Sequence, residues 1–228
     1  NAGPGLLMHL KPESGQPRPV GRAIVEQLFP NGDDGRIPVI GVSGSFGKTT
    51  VANLVARFLT LSGKHTGLAC SDGLFLDRRC IAKGDNATWG AANRILMNRA
   101  VDAAVLENGS DTVLDEGLAY DRCLIGVITN VDPARHVGRY HIETPEQVFT
   151  VLRTQVDLVL PGGAAVLNAG HPMLVEMAAL CDGEVIFFAT DPEQPALVNH
   201  RALGKRAVFV RGGQVVLASG NDETPIVS

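Results

Sequence analysis

Apolar positions follow no regular spacing in residues 3–20, where Pro12, Pro17 and Pro19 mark an irregular lead-in. "VGRAIVEQLF" then puts Val20, Ile24, Val25, Leu28 and Phe29 on one helical stripe, and the polar "PNGDDGR" breaks it. From Ile37 the pattern changes to short apolar runs alternating with amphipathic stretches. "IPVIGV" is continuous and β-branched, as a strand buried on both faces should be. "TTVANLVARFLTLSG" predicts a helix, with Val51, Leu54, Val55, Phe58 and Leu59 at helical spacing and Gly63 as its stop. "HTGLAC" predicts a strand and "GLFLDRRCIAKGD" a hairpin. "WGAANRILMNRA" reads as a helix, "DAAVLE" and "CLIGVIT" as buried strands. "TPEQVFTVLRTQV" opens as a helix: Thr144 can cap it, Pro145 suits the first helical position, and Gln147 completes a capping box. "GAAVLN", "PMLVEMAALC" and "EVIFFA" predict strand, helix and strand, and "RAVFVRGGQVVLAS" a hairpin about Gly212-Gly213.

Repeated β-α alternation implies an α/β fold with a mostly parallel sheet and helices on both faces, its ligands gathered at the C-terminal strand ends. A chain of 228 residues, 45% of them hydrophobic, supports one such domain, alone or with a small appendage. The expected division is residues 1–36, with Asn1-Ala2 as a tag remnant before the lead-in and helix, and residues 37–228 as the main domain. The missing initiator Met and the ending "NDETPIVS" suggest a fragment of a longer protein. A net charge of −4 argues against a basic nucleic-acid face. No apolar run approaches the ~20 residues a membrane helix needs, and the start has no signal-peptide pattern. Cys70, Cys80, Cys123 and Cys181 form no CxxC or small-domain disulfide pattern, which suits reduced thiols in a cytoplasmic protein.

The densest chemistry lies in "GVSGSFGKTT", residues 41–50. A phosphate loop needs glycines where backbone N–H groups converge on an anion, followed by a helix whose dipole faces it. A lysine then reaches the terminal phosphates, and a Ser or Thr hydroxyl binds Mg²⁺. Gly44, Gly47, Lys48 and Thr49 meet these needs between a predicted strand and a predicted helix, although G-x-x-G-K-T is shorter than the usual loop. The metal also needs a carboxylate, and Glu107 ends the buried run "DAAVLE". "TNVD" supplies Asn130 and Asp132 but lacks the lysine of a guanine-recognition motif.

The short loop, with "AAVLE" and "GVITNV", resembles the Mur ligase central domain, a P-loop NTPase-like fold. "GDNATWGAANRIL", "VDAAVLENGS", "GLAYDRCLIGVITNV" and "AAVLNAGHP" are closer still to the Mur-ligase-like half of the cyanophycin synthetase family, and the likeness runs from about residue 8 onward. It implies an ATP-dependent amide ligase that activates an acid as an acyl phosphate before an amine attacks. In that family the amine belongs to arginine and the acid is an aspartate side chain of a poly-aspartate backbone, giving cyanophycin. The resemblance implies ATP and Mg²⁺ as cofactors. Gly44, Ser45, Phe46, Gly47, Lys48, Thr49, Thr50 and Asn130 would surround the nucleotide, Thr49, Glu107 and His136 would hold the metal, and Lys48, Glu107 and His136 would form the catalytic set. It further implies a homo-oligomeric full-length protein and a C-terminal lobe, absent here, that closes over ATP.

Several positions depart from the family pattern. Phe46 stands for an asparagine of the loop, and Asn108–Thr112 replace a Thr-Ala-Arg-Gly-Gly stretch, so its arginine is gone. Arg135 replaces the aspartate before His136, Leu152 falls where many relatives carry a lysine, and "NAGH", Asn168–His171, replaces Asn-Ala-Asp-Asp. Two versions of the ligase reading therefore stay open: a domain that supports amide formation, or a degenerate module that serves as scaffold or polymer-binding surface. A P-loop NTPase switch and a binding module without nucleotide are the readings from other classes. Trp89 is expected to anchor core or loop rather than to stack on a substrate. Arg78-Arg79 and the Arg135, His136, Arg139, His141 group are either solvated faces or recognition sites for an acidic polymer.

Overall fold

The computed structural model describes residues 9–10, 18–19, 21–30 and 35–227. The chain clusters into two compact units, Asn1–Ile37 and Pro38–Ser228. In the first, β1 (His9–Leu10) pairs antiparallel with β2 (Arg18–Pro19), a pairing within the lead-in that the prolines disguise. Helix α1 (Gly21–Leu28) follows, with Arg22 donating to Glu26 one turn on. Asn1-Ala2, Val20 of the predicted stripe and residues 31–34 of the predicted breaker lie outside the described residues.

The second unit carries β3 (Val39–Ser43), α2 (Lys48–Leu61), β4 (Thr66–Cys70), β5 (Gly73–Leu76), β6 (Arg79–Lys83), α3 (Trp89–Leu96), β7 (Ala103–Glu107) and α4 (Ser110–Asp115). It continues through β8 (Cys123–Ile128), α5 (Pro145–Asp157), β9 (Val159–Asn168), α6 (Pro172–Met177), β10 (Glu184–Ala189), α7 (Pro195–Ala202), β11 (Arg206–Arg211), β12 (Gln214–Ser219) and β13 (Asp222–Val227). Among the described residues, these strands form one 11-stranded sheet in the order β13-β12-β11-β10-β9-β8-β3-β7-β4-β5-β6. From β11 to β4 neighbouring strands are parallel, while β12–β13 and β5–β6 extend the two ends antiparallel. The expected α/β fold is therefore the observed one.

Helices cover both faces because the central strands are apolar on both. Ile40, Val42, Leu68, Cys70, Val105 and Val127 pack against Ala52 and Ala56 of α2. The alternate residues face the other way: a Cβ at Gly67 would collide with Ile95 of α3, and one at Gly41 with Gln155 of α5. The predicted stripe of α2 needs correction. Val51, Val55 and Leu59 pack inward with Ala52 and Ala56, but Leu54 and Phe58 are exposed. The alanines let the helix approach the sheet closely, so the buried face centres on the smallest side chains.

Thr144 caps α5 and closes the predicted box with Gln147. Gly212 and Gly213, at φ 58° and 78°, make the predicted tight turn between β11 and β12. Trp89 departs from expectation: at 42% exposed, it heads α3 as a surface residue. The elements α4, α7 and β13 have no counterpart in the hydrophobic pattern. Helix α4 is short and polar, and β13 carries Pro225, which an edge strand tolerates. All four cysteines are free, and no helix among the described residues is long and apolar enough to cross a membrane.

Candidate functional site

The centre of the sheet ends in a loop that sequence alone places correctly. Strand β3 stops at Ser43, Gly44–Gly47 turn, and α2 starts at Lys48. Gly44 has φ 128°, and a side chain there would strike Thr129 Oγ1. Gly47 occupies the helix N-cap at φ 76°, a conformation that favours glycine. No side chain caps α2, so the N–H groups of its first turn, which includes Lys48, Thr49 and Thr50, are available to an anion.

The loop is braced from the end of β8. Ser45 donates its N–H to Asn130 O at 3.0 Å. The Asn130 side chain accepts from Phe46 N–H at 2.9 Å and donates to Phe46 O at 3.0 Å. Thr129 Oγ1 lies 2.7 Å from Phe46 O. Asn130 thus spends its amide on the loop backbone, and the Phe46 ring, 48% exposed, points outward beneath the Arg135 guanidinium at 4.4 Å.

Glu107, buried at the end of β7, receives Thr49 Oγ1 at 3.0 Å. The expected pairing of hydroxyl and carboxylate is therefore assembled by two elements 58 residues apart. Ser71 is a site residue that sequence reading missed: its N–H donates to Glu107 Oε2 at 2.9 Å and its hydroxyl to Oε1 at 3.1 Å. Nothing in "CSDG" signals this, because only strand order puts β4 beside β7.

His136 is brought to the same place but already has partners on both sides. Its Nε2 lies 2.8 Å from Ser45 Oγ, and its Nδ1 lies 2.8 Å from Ser110 Oγ. Ser45 Oγ also accepts Asp132 N–H at 2.7 Å. Burial holds the His136 imidazolium unfavourable and lowers its pKa. A metal on either ring nitrogen would have to displace Ser45 or Ser110.

Lys48, Ser45, Ser71, Glu107, Arg135 and His136, with Asp85, Asp111 and Arg139, line a polar cavity of about 230 Å³. A cavity of about 410 Å³ between α2 and β5 is larger, but the phosphate loop and Glu107 are not among its walls. The chemistry selects the smaller cavity. Its Thr, Ser and Glu oxygens suit Mg²⁺, a hard cation usually held by one or two carboxylates plus substrate phosphates. No group of three or more His, Cys, Asp or Glu poised for a metal occurs among the described residues.

Behind the cavity, Gln155 Oε1 of α5 accepts from Asn108 Nδ2 at 2.8 Å and Tyr120 Oη at 2.9 Å. Asn108 therefore points into the protein, opposite Glu107, and anchors the strand end that presents the carboxylate. Leu152 is buried in α5, and His141 is exposed. Asn168 reaches Thr129 O at 3.4 Å, and His171 Nδ1 is a buried nitrogen with no hydrogen-bond partner among the described residues.

The Mur ligase middle domain family matches residues 42–219. The chain is similar to the cyanophycin synthetase of Synechocystis sp. strain PCC 6803, 37% identical over 97% of this chain and 25% of that protein. It is also similar to the cyanophycin synthetase of Geminocystis herdmanii, 37% identical over 93% of this chain and 24% of that protein. The chain thus spans about a quarter of the length of these curated relatives. Among solved structures it shares the fold of a UDP-N-acetylmuramoyl-L-alanyl-D-glutamate–2,6-diaminopimelate ligase, with TM-score 0.61 and 15% identity over 91% of this chain and 42% of that one.

Proposed function

The chain belongs to the Mur ligase middle domain family, and from that premise we propose that residues 37–228 are the ATP-binding domain of an amide-forming ligase, with residues 1–36 as its lead-in. The proposed acid is an aspartate side chain of a poly-aspartate backbone and the proposed amine is arginine, the pair that the resemblance to cyanophycin synthetases implies. The carrying observation is the bond from Thr49 to Glu107, at 3.0 Å, with Glu107 on the wall of the cavity that Lys48 also lines.

In the reaction, an oxygen of the substrate carboxylate attacks the γ-phosphorus of ATP and the bond to the β–γ bridging oxygen breaks, leaving ADP and an acyl phosphate. The amine then attacks the acyl carbon, phosphate departs, and the amine proton passes to solvent. The N–H groups at the start of α2 hold the phosphates, and Lys48 neutralises charge on the transferring group. Thr49 and Glu107, with Ser71 behind the carboxylate, would hold Mg²⁺, which supplies charge neutralisation to the phosphates when bound. Asn130 keeps Phe46 and the loop crest in shape. His136 orients Ser45. The full-length protein is proposed to work in the cytoplasm as a homo-oligomer.

The test is calorimetric titration of Mg²⁺-ATP into the purified protein beside Lys48→Ala, followed by ADP release with poly-aspartate and arginine together or singly. Binding lost in the variant, and turnover that needs both substrates, support the reading. A second reading, nucleotide binding without amide formation, is favoured by the burial of apolar Leu152 where the resemblance expects a lysine. Binding without dependence on either substrate would select it.

A further inference from the structure

Three cations line the phosphate-loop cavity: Lys48, Arg135 and Arg139. Arg139 is tied to Asp111, 3.4 Å away. Lys48 and Arg135 have no carboxylate within ion-pair distance among the described residues. The guanidinium of Arg135 makes one long contact, 3.5 Å from Nη1 to Ser45 O, and rests on the Phe46 ring. An arginine has five N–H donors in a fixed fork that matches phosphate oxygens. Here that fork is held by weak contacts on the wall of an anion site.

The backbone beneath it is tied down by hydrogen bonds. Pro133–Arg135 form a 3-10 turn, and Asp132 caps it by accepting Ala134 N–H at 3.1 Å. Asp132 N–H and the His136 ring both grip Ser45 Oγ, so the turn is fastened to the loop on either side of Arg135. The Arg135 side chain has no comparable fastening. Phe46 is large enough to hold it by a cation–π contact, yet such a contact at an exposed site is weak enough to be exchanged for a charged ligand.

We propose that Arg135 is a terminal-phosphate clamp: it rests on Phe46 in the empty loop and moves to the γ-phosphate when ATP fills the cavity. The proposal rests on the nucleotide reading above and adds to it a second cation, supplied within the same chain, beside Lys48. Arginines placed this way stabilise the charge that develops on a transferring phosphoryl group. They also discriminate between nucleotides, because ADP has no γ-phosphate to hold.

The experiment measures binding of Mg²⁺-ATP and Mg²⁺-ADP to the purified protein and to Arg135→Ala, Arg135→Lys and Lys48→Ala, with thermal melting of each. For Arg135→Ala, ATP affinity is expected to fall about tenfold or more while ADP stays within about twofold, as loss of one charge-assisted contact to the γ-phosphate would give. Arg135→Lys should recover part of the ATP preference, since it keeps the charge and loses the fork. Unchanged ATP affinity in Arg135→Ala, or equal weakening of ATP and ADP, overturns the clamp and leaves the nucleotide site standing. Wild-type affinity in Lys48→Ala, or no nucleotide binding by the wild type, overturns the nucleotide reading and the clamp with it.

Discussion

The arginines at the β10–β13 edge of the sheet and at its central phosphate loop are treated differently. Around β10–β13, Arg201 and Arg211 share Glu223, each at 2.5 Å, and Arg206 pairs with Glu184. Arg201 and Arg211 also flank Phe209, at 4.7 and 4.9 Å from its ring. Every guanidinium in that cluster has a carboxylate, and the cluster ties the antiparallel extension to the parallel sheet. At the phosphate loop, Lys48 and Arg135 lack a carboxylate among the described residues, while Arg135 uses the same stacking contact on Phe46. Stacking on an aromatic ring is therefore common to both regions, and charge compensation separates them. Paired cations hold the fold, and unpaired cations in a polar cavity wait for an anion.

Breaking the loop should have the largest effect. Gly44→Val places a branched side chain at φ 128° against Thr129, and loss of nucleotide binding by about 100-fold or more is expected, because backbone strain and a steric clash act at the phosphate contacts themselves. Calorimetry reads it, with thermal melting separating loss of the site from loss of the fold. Glu107→Gln keeps the shape but removes the metal-side charge. The rate of phosphoryl transfer should fall by about 10²-fold, and the Mg²⁺ concentration giving half-maximal rate should rise. A Mg²⁺ titration at saturating ATP would contradict this if the midpoint stayed where it is in the wild type.

The β10–β13 edge should show the converse behaviour. Glu223→Ala strips the shared carboxylate from Arg201 and Arg211, and a stability loss of about 1–2 kcal/mol is expected with ATP affinity unchanged. A change in affinity would show that the two regions are coupled. The smallest effect is a pH dependence. His200, packed edge-on against Phe187 with Nε2 3.0 Å from Val185 O, has its pKa lowered first by burial and then by Lys205. A depressed histidine binds its proton more readily in the unfolded chain. Its contribution to stability is therefore full above the ordinary value near 6.5 and is lost as pH falls from there through the folded value. His200→Gln should flatten the fall in melting temperature between about pH 7 and pH 5, a difference of a few degrees.

Much of this was legible in the chain. Continuous β-branched runs separated by amphipathic stretches define a parallel sheet because each central strand is buried twice. The turn G-x-x-G-K-T is readable because glycine, lysine and threonine each serve a local need of a phosphate loop. The Thr144–Gln147 box and the Gly212-Gly213 turn are local for the same reason. Tertiary structure alone decided what depends on strand order. It brought Ser71 to Glu107 across β4 and β7, turned Asn108 inward to Gln155, and joined His136 to both Ser45 and Ser110. It also put Arg135, without a carboxylate partner among the described residues, on the wall of the phosphate-loop cavity. Periodicity records which way a side chain faces within its own element, whereas a partner is chosen by the element that packs beside it.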